Sequence, residues 1–500
     1  MKRRTFLTTI GSLPVIGLGM GWARVATGGA SAMNMGSMEA AAPVKLAAVD
    51  ALTAGAAIRD LTKLANTSDQ PGLFRASLIA APMKVPLLPG ASTEFWAYNG
   101  SLPGPLIEVV EGDTVEIVFE NRLPQATTVH WHGLPVPPEQ DGNPHDAVPP
   151  GGKRLYRFTL PLGSAATYWY HPHPHGSTPE QVYRGLAGAF IVRAKADPLK
   201  DIPERLLMIS DLKLDADGRI APNDADDEMN GREGQFALLN AQRQPVLQFD
   251  RSGRERWRIW NASSARYLRL TLPRAGLTLA GTDGGLLEHP ITGLTELLLA
   301  PAQRVEIIVD AGDNNGKVEL IAAPYKRGKM GNVPAEKVLS LLTVDFGKVS
   351  GAAPKPLPAT LGRIDDLGRP KAKKRVVFSE QMSMAGGRHS MKFLVNGKQF
   401  DMKRIDLVSR LNQVELWELV NDSDMDHPFH IHGTQFQVTE REFDGKVMPE
   451  PYRAWRDTIN LKSRETVRIK LVQHFKGIRM FHCHILEHEG AGMMGQLKVV

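Results

Sequence analysis

Cysteine is nearly absent from this chain, which has one among 500 residues, so an intramolecular disulfide framework is excluded. Aromatic residues make up only 7% of the sequence, and they are not interleaved with a basic stripe of the kind that binds nucleic acids. The formal net charge of +6 includes the N-terminal residues Lys2, Arg3, Arg4 and Arg24. Nothing in this charge balance indicates a nucleic-acid partner.

Helix-period stretches are also scarce, whereas the chain has 47 glycines and 35 prolines. Short runs rich in Val, Ile and Thr recur, for example at 106–110, 113–119 and 305–309, and such runs are typical of β-strands. At typical domain size, 500 residues correspond to about three domains. The sequence therefore predicts an all-β protein built of several sandwiches.

The single cysteine, Cys483, stands between His482 and His484 in the run FHCHILEH at 481–488. Successive side chains of a β-strand point to opposite faces, so the two histidines share one face and the thiol lies on the other. Two covalently linked metal centres are therefore possible on one strand.

The thiol side of this strand has the ligands of a blue-copper site. Such a site uses two imidazoles, one thiolate and a weak axial thioether. His488 and Met493 follow Cys483 in the chain, and His427 supplies a second imidazole from the run DHPFHIH at 426–432. Met494 is the neighbour that could be mistaken for the axial ligand.

Pairs of histidines separated by one residue recur along the chain. Four His-x-His pairs are present: His130 and His132, His171 and His173, His430 and His432, and His482 and His484. One such pair is more often surface polarity or a satisfied core histidine. Ten of the 15 histidines, however, fall inside four short motifs. Because a mononuclear site needs three or four ligands, eight converging imidazoles predict a cluster of about three metal ions with room for a small ligand such as dioxygen.

These motifs, in the order HWHG, HPH, HPFHIHG and HCHILEH, resemble the four copper signatures of the multicopper oxidases. The segments YWY at 168–170, GLAG at 185–188 and HGTQF at 432–436 also resemble the bacterial periplasmic copper-efflux oxidases and bacterial laccases. The resemblance implies three consecutive cupredoxin-like Greek-key β-sandwich domains and four copper ions per chain.

The resemblance also implies a role for each ligand. His427, Cys483 and His488, with Met493 axial, would hold the type 1 copper. His130 and His430 would hold the type 2 copper. The type 3 pair would be held by His132, His171, His173, His432, His482 and His484.

The implied reaction is one-electron oxidation of a donor at the type 1 copper, coupled to four-electron reduction of O2 to water at the cluster. Electrons would enter through an exposed edge of His488 and pass from Cys483 to His482 or His484. Glu489 and Asp141 match the positions of proton-carrying acids in the resembling oxidases. A surface or turn carboxylate remains the alternative for each, since Asp141-Gly142-Asn143-Pro144 is also a good turn.

We divide the chain into a signal peptide at 1–32, an N-terminal tail at 33–66 and sandwiches at 67–196, 197–349 and 371–500, with a Pro-, Gly- and Ala-rich linker at 350–370. All expected ligands fall in the first and third sandwiches. The second contains His289 alone and is expected to be a spacer. The cluster should therefore lie where the first and third sandwiches meet.

The start of the chain predicts export. Lys2-Arg3-Arg4 and the apolar stretch from Ile10 to about Ala23 read as a twin-arginine signal peptide, and Ala30-Ser31-Ala32 offers a cleavage pattern. The apolar stretch is too short and glycine-rich to span a membrane convincingly. A periplasmic or otherwise exported protein with no membrane span after cleavage is expected.

The donor is expected to be a phenol or aromatic amine, Cu(I), or both. Methionines at 33, 35 and 38 and at 382, 384 and 391 could bind Cu(I) through their thioethers, or could be tail and core residues. Asp424 and Asp426 beside His427 could bind an incoming metal ion or a phenolic proton, or be solvated turn residues. His145, His175, His289, His389 and His474 lie outside the ligand pattern.

Two other classes of protein are possible. One is a non-catalytic exported cupredoxin-like protein that binds copper or supports cell division, against which the full ligand set argues. The other is a copper-storage protein or chaperone, which would not need a thiolate flanked by two cluster ligands. A copper nitrite reductase would be expected to have two-domain subunits and a different His-Cys pattern. The sequence does not indicate an oligomeric state.

Overall fold

The computed structural model describes residues 44–331, 333–349, 354–385 and 388–500, and this part of the chain is almost entirely β. The predicted signal peptide lies outside the described residues, as do the methionines at 33, 35 and 38. Among the described residues, no helix has the length and apolar character needed to cross a bilayer. The strands form six sheets, which pair into three sandwiches along the chain.

The first sandwich joins a four-stranded sheet, in the order β2-β1-β4-β5, to a three-stranded sheet in the order β3-β7-β6. One buried apolar cluster fills the space between them. Its elements are β1 (Leu73–Val85), β2 (Thr93–Tyr98), β3 (Gly104–Val110), β4 (Thr114–Asn121), β5 (Lys153–Thr159), β6 (Ala166–Tyr170), α1 (Thr178–Tyr183) and β7 (Gly188–Arg193).

The second sandwich joins the six-stranded sheet β14-β13-β16-β11-β8-β9 to the five-stranded sheet β10-β18-β17-β12-β15. Its elements are β8 (Glu204–Leu212), α2 (Ala225–Asn230), β9 (Phe236–Leu239), β10 (Val246–Asp250), β11 (Arg254–Asn261), β12 (Leu268–Thr271), β13 (Gly276–Thr282), β14 (Gly285–Leu294), β15 (Leu297–Leu299), β16 (Arg304–Asp310), β17 (Lys317–Ala323) and β18 (Leu339–Lys348).

The third sandwich joins the six-stranded sheet β20-β19-β22-β27-β24-β25 to the five-stranded sheet β21-β29-β28-β23-β26. Its elements are β19 (Ala372–Ala385), β20 (Arg388–Val395), β21 (Leu407–Ser409), β22 (Val414–Asp422), β23 (His427–Ile431), β24 (Phe436–Phe443), β25 (Lys446–Pro449), β26 (Thr458–Leu461), β27 (Thr466–Val472), β28 (Gly477–Cys483), α3 (Leu486–Gly490) and β29 (Met494–Val499).

The all-β prediction and the prediction of three successive sandwiches are confirmed. The runs at 106–110, 113–119 and 305–309 lie within β3, β4 and β16 or at their ends. The exact domain boundaries stay a prediction. Residues 45–66, which we expected to be a tail, lie along the first two sandwiches: Ala47 N donates to Leu214 O at 3.0 Å, and Leu64 N donates to Leu106 O at 2.8 Å.

Strand register brings the motifs of the third sandwich together. His430 of β23 is the cross-strand partner of His482 of β28, and Phe429 is the partner of Cys483. In the first sandwich, a bridge pairs His130 with His171. Because partners in adjacent strands lie side by side, histidines that are far apart in sequence become neighbours.

Candidate metal centres

The thiol of Cys483 lies in a group of three potential ligand atoms. Its Sγ is 3.4 Å from His427 Nδ1 and 4.0 Å from His488 Nδ1, and the two Nδ1 atoms are 3.4 Å apart. All three side chains are completely buried. Atoms that share a metal at about 2.0–2.3 Å are separated by distances of this order.

The outer nitrogens of the two imidazoles have acceptors. His427 Nε2 is 3.1 Å from Glu380 Oε1 and 3.0 Å from Ser423 Oγ, and His488 Nε2 is 3.2 Å from the carbonyl oxygen of Met229. Carboxylate and carbonyl oxygens only accept, so both Nε2 atoms carry the proton. The lone pairs are therefore on the Nδ1 atoms that face the thiol.

Met493 is tied to this group through its backbone. Cys483 N donates to Met493 O at 3.0 Å, and Met493 N donates to His488 O at 2.9 Å. The Met493 side chain is buried in the same apolar cluster as Cys483. Met494, the next residue in the chain, is instead the cross-strand partner of His482.

The eight histidines of the His-x-His pairs converge between the first and third sandwiches, as expected, and all are completely buried. Each sandwich of the pair supplies ligands to every group. The groups whose ring nitrogens lie together are His132, His171 and His484; His173, His432 and His482; and His130, His132 and His430.

Within these groups, ring nitrogens from the two sandwiches come close to one another. His130 Nε2 is 3.4 Å from His430 Nε2, and His173 Nε2 is 3.1 Å from His482 Nε2. The outer Nδ1 atoms of two of these histidines again have acceptors: His430 Nδ1 is 2.9 Å from Asp457 O, and His482 Nδ1 is 2.9 Å from Cys483 O. The Nε2 atoms of His430 and His482 thus present lone pairs to the cluster.

Burial favours the neutral form of most of the buried imidazoles. It lowers the pKa of His482 to about 3 and moves the pKa of seven others well below the ordinary value, with neighbouring imidazoles adding to the effect. The other residues so affected are His132, His171, His173, His430, His432, His484 and His488. Neither ring nitrogen of His484 has a hydrogen-bond partner. Neutral, buried, unpartnered imidazoles are suited to metal ions and costly without them, so the donor set fits copper.

Two carboxylates expected to carry protons lie against the histidine cluster. Asp141 Oδ1 is 3.1 Å from His130 Nδ1, and its Oδ2 is 3.4 Å from His432 Nδ1. Glu489, in α3, has Oε1 3.6 Å from His173 Nε2 and Oε2 3.5 Å from His482 Nδ1. Burial raises the pKa of Asp141 and raises that of Glu489 to about 8. Neither is a surface carboxylate.

Asp141 is also in a tight turn. Gly142 has φ +65°, and a Cβ there would overlap the carbonyl of Val129, next to His130. Glycine therefore allows the turn to approach the histidine strand closely. Asp141 is therefore both a turn residue and a residue in contact with the histidine cluster.

Sequence reasoning missed one carboxylate at the cluster. Asp457 Oδ1 is 3.1 Å from His132 Nε2, and the guanidinium of Arg304 donates to both Asp457 oxygens at 2.5 and 2.6 Å. The available signal was a charged residue directly before the apolar strand β26. Arg304 belongs to the second sandwich, and its Nε also donates to Thr167 O at 2.8 Å in the first. The second sandwich, which we expected to be a spacer without copper ligands, therefore also contributes a side chain that contacts a carboxylate at the cluster.

A second expectation fails at His488, whose ring is completely buried instead of having an exposed edge. The carbonyl of Met229 in α2 covers Nε2, and Phe393 stacks on the ring at 3.9 Å. Next to this covered ring is a cavity of about 760 Å³ lined by Met229, Met382, Met391, Phe393 and Glu487, among others. Helix α2 comes from the second sandwich, and no local pattern relates it to His488.

The aspartates before His427 differ from each other. Asp424 is exposed and pairs with Arg464 at 2.8 Å. Asp426 is buried and accepts hydrogen bonds from Tyr325 Oη at 2.7 Å and Asn460 Nδ2 at 2.8 Å. Asp424 is thus a solvated turn residue, while Asp426 is a buried structural acceptor.

Histidines outside the four motifs do not join the ligand groups in the described part of the chain. His145 bonds to Gln496, His289 to Ala359 O and His474 to Asn412, and His175 packs against Phe400. The side chain of His389 lies outside the described residues.

Three β-sandwiches, with one Cys-His group next to eight converging imidazoles, define a cupredoxin-type protein with a multinuclear metal site. Two multicopper oxidase family models match residues 80–197 and 372–500. The multicopper oxidase mco of Staphylococcus aureus is 33% identical over 86% of this chain and 90% of its own length. The chain belongs to the multicopper oxidase family, and it is a copper-dependent oxidoreductase.

Two further relatives show the range of the family. A solved multicopper oxidase from Campylobacter jejuni, described as a metallo-oxidase, is 45% identical with a TM-score of 0.87, covering 91% of this chain and 98% of its own. The cell division protein FtsP of Proteus mirabilis is 28% identical over 81% of this chain and 85% of its own length.

Proposed function

We propose that the chain oxidises a one-electron donor at a type 1 copper and reduces O2 to water at a trinuclear copper cluster. His427, Cys483, His488 and Met493 would hold the type 1 copper, and His130 and His430 the type 2 copper. The type 3 ions would be held by two groups of three: His132, His171 and His484, and His173, His432 and His482. Copper, when bound, supplies the one-electron chemistry and the reduction of O2.

One observation carries this proposal: Cys483 lies in the three-atom thiol group while its chain neighbours His482 and His484 lie in the two imidazole groups. The backbone of three consecutive residues therefore joins the donor-oxidising centre to the oxygen-reducing one. Complete burial of all these side chains excludes bulk water from both.

The protein's own acids would supply protons. We propose that the carboxyl groups of Asp141 and Glu489 hold protons at Oδ2 and at Oε1 or Oε2, next to the histidines that they contact. Burial raises the pKa of both groups, and the pKa of Glu489, at about 8, keeps that carboxyl group protonated near neutral pH and ready to donate.

The central test replaces Cys483 with Ser in the copper-loaded protein. Wild type should have an intense blue thiolate absorption and consume oxygen with a reducing donor. Cys483→Ser should lose the blue band and the donor-dependent oxygen uptake. Unchanged donor oxidation in this variant, or a colourless copper-loaded wild type, would contradict the proposal.

For the donor we propose Cu(I). The cavity beside His488 presents the thioethers of Met229, Met382 and Met391, and thioethers suit Cu(I). Glu487 lines the same cavity, and both of its buried carboxylate oxygens lack a hydrogen-bond partner. The Campylobacter relative is described as a metallo-oxidase, which supports the same choice.

A comparison of three donors tests this choice. Oxygen uptake is measured with Cu(I), Fe(II) and a dimethoxyphenol, with and without added Cu(II). Met391→Leu should raise the KM for Cu(I) about tenfold and leave the KM for the phenol unchanged, since Leu keeps the volume and removes the sulfur. Equal effects on both donors, or a preference for the phenol in wild type, would favour phenols as the substrate class.

A non-catalytic cell-division role is the alternative, because FtsP is among the relatives. Oxygen consumption by the copper-loaded protein separates the two functions.

We further propose export through the twin-arginine sequence at Arg3 and Arg4. Replacing both with Lys should retain the protein in the cytoplasm, whereas unchanged export would contradict this.

A further inference from the structure

One cross-strand pair of the β19–β20 hairpin touches both imidazoles of the thiol group. Glu380 of β19 is the register partner of Phe393 of β20. The Glu380 carboxylate lies 3.1 Å from His427 Nε2, and the Phe393 ring stacks on His488 at 3.9 Å with an interplanar angle of 15°. The hairpin therefore covers the outer side of both rings.

The contact at His427 is between buried groups. The His427 side chain is fully buried and that of Glu380 is 7% exposed. Ser423 Oγ is the other acceptor, at 3.0 Å, and it is itself within 2.7 Å of Asn421 Oδ1, which uses its proton. Glu380 is thus the charged member of the pair of acceptors at this nitrogen.

The corresponding contact at His488 has no charge. Its Nε2 faces the neutral carbonyl of Met229, and the face of its ring meets the apolar Phe393. The two imidazoles of the thiol group are therefore unequal: one donates to an anion and the other to a peptide oxygen.

We propose that Glu380 is a positioning residue for His427, which fixes the Nε2–H tautomer and makes His427 the stronger donor to copper of the two imidazoles of the type 1 site. A carboxylate that accepts from a ligating histidine raises the basicity of that ligand. A buried negative charge also favours the more positive, oxidised form of the site, because it is screened less than in water. Glu380 accordingly lowers the type 1 reduction potential and favours retention of Cu(II).

This inference rests on the proposed function for its copper readouts, but its tautomer readout needs no metal. In the metal-free protein, ¹⁵N-labelled His427 should have a protonated Nε2 and an unprotonated Nδ1. Glu380→Leu removes the carboxylate acceptor and should broaden or shift this pattern towards a mixture of tautomers. An unchanged His427 pattern in Glu380→Leu would overturn the positioning role.

The copper-loaded protein provides the second readout. Glu380→Gln keeps an acceptor of the same size and removes the charge, so the blue band should remain. At a fixed donor potential, the oxidised-to-reduced ratio of the type 1 site should fall about tenfold, which corresponds to a potential rise of about 59 mV. Affinity of the site for Cu(II) should fall by about tenfold or more.

Three further variants are compared with Glu380→Gln. Glu442→Gln removes a carboxylate from the same sheet, where Glu442 pairs with Arg468, and should leave the potential unchanged. Ser423→Ala removes the neutral acceptor and should have a smaller effect than Glu380→Gln, while Glu380→Asp should restore part of the wild-type potential. If Glu380→Gln keeps its blue band and has the same type 1 reduction potential as Glu442→Gln, the proposal is overturned. A wild type without a blue band would instead count against the proposed function.

Discussion

Most of the proposed ligand histidines are oriented by an acceptor at one ring nitrogen. Backbone carbonyls orient His430, His482 and His488, whereas carboxylates meet His130, His132 and His427. An acceptor at one ring nitrogen forces the lone pair onto the other. The orientation of the imidazoles is therefore built into the protein before any metal binds.

Asp141 offers a test of proton supply at the residue scale. Asp141→Asn keeps the size of the side chain but removes its acidic proton, so oxygen reduction should slow by about a hundredfold, within the usual range for loss of an acid group. Reduction of the type 1 site by donor should change little. Anaerobic reduction and subsequent reoxidation, each followed by stopped-flow absorption of the blue band, separate the two steps.

The matched control is Asp424→Asn, which removes an exposed carboxylate paired with Arg464. It should leave both steps unchanged. Equal slowing of reduction and reoxidation in Asp141→Asn would show that Asp141 acts on the site as a whole and not on proton supply.

Met493 offers a second test, through the potential of the type 1 site. Met493→Leu removes the thioether that we propose as a weak copper ligand while nearly keeping the volume, so the potential should rise. Spectroelectrochemical titration of the blue band measures the change. Met494→Leu, at the adjacent position, should leave the potential close to that of wild type, and a larger shift there would reverse the assignment of the axial ligand.

At the scale of elements, strands and ligand motifs could be predicted and the covering elements could not. Alternating residues identified β3, β4 and β16, and the His-x-His spacing identified which side chains share a face. The position of α2 over His488 and that of Arg304 beside Asp457 depend on contacts between distant segments. Such contacts leave no local period in the sequence, which is why the second sandwich looked like a spacer.

The loop after α2 is held by Glu233, which gives a pH-dependent prediction. Glu233 lies 3.0 Å from Arg327 and 2.9 Å from Lys329. Burial alone would raise its pKa, but these cations and Arg266 outweigh burial and lower the pKa to about 2. The stabilisation is therefore present above pH about 4.5, the ordinary value of the group, and is lost as pH falls towards about 2.

Glu233→Gln should accordingly destabilise the metal-free protein by up to about 3 kcal/mol at pH 7 and by much less at pH 3. Thermal unfolding midpoints of wild type and variant at the two pH values measure the difference. Glu296→Gln, at an exposed pair with Arg269, should have almost no effect at either pH. A Glu233→Gln deficit that is the same at both pH values would be contrary to this account.

On the scale of the whole molecule, the position of the histidine cluster could be predicted because ligand motifs occur only in the first and third sandwiches. What could not be predicted is how the sandwiches are held together there. Arg304, from the second sandwich, donates to Thr167 O of the first and to Asp457 of the third. One guanidinium thus connects all three sandwiches.

Arg304→Met should therefore destabilise the assembly strongly. It leaves the completely buried Asp457 carboxylate without its cation, and breaking a buried pair from one side typically costs about 3–5 kcal/mol. The thermal unfolding midpoint of the metal-free variant measures this. Arg363→Met, at an exposed pair with Asp365, is the control, and an Arg304→Met midpoint equal to that of the control would contradict the role.

The meeting of distant strands at the cluster also has a consequence for maturation. His130 and His171 precede His482, Cys483, His484 and His488 by more than half of the chain, and each group of facing nitrogens in the cluster draws on both sandwiches. While a ribosome is still making the last sandwich, the earlier histidines have no partners with which to capture an ion. Metal uptake by the cluster of eight imidazoles must therefore follow docking of the two outer sandwiches, whereas the group of His427, Cys483 and His488 lies wholly within the third sandwich.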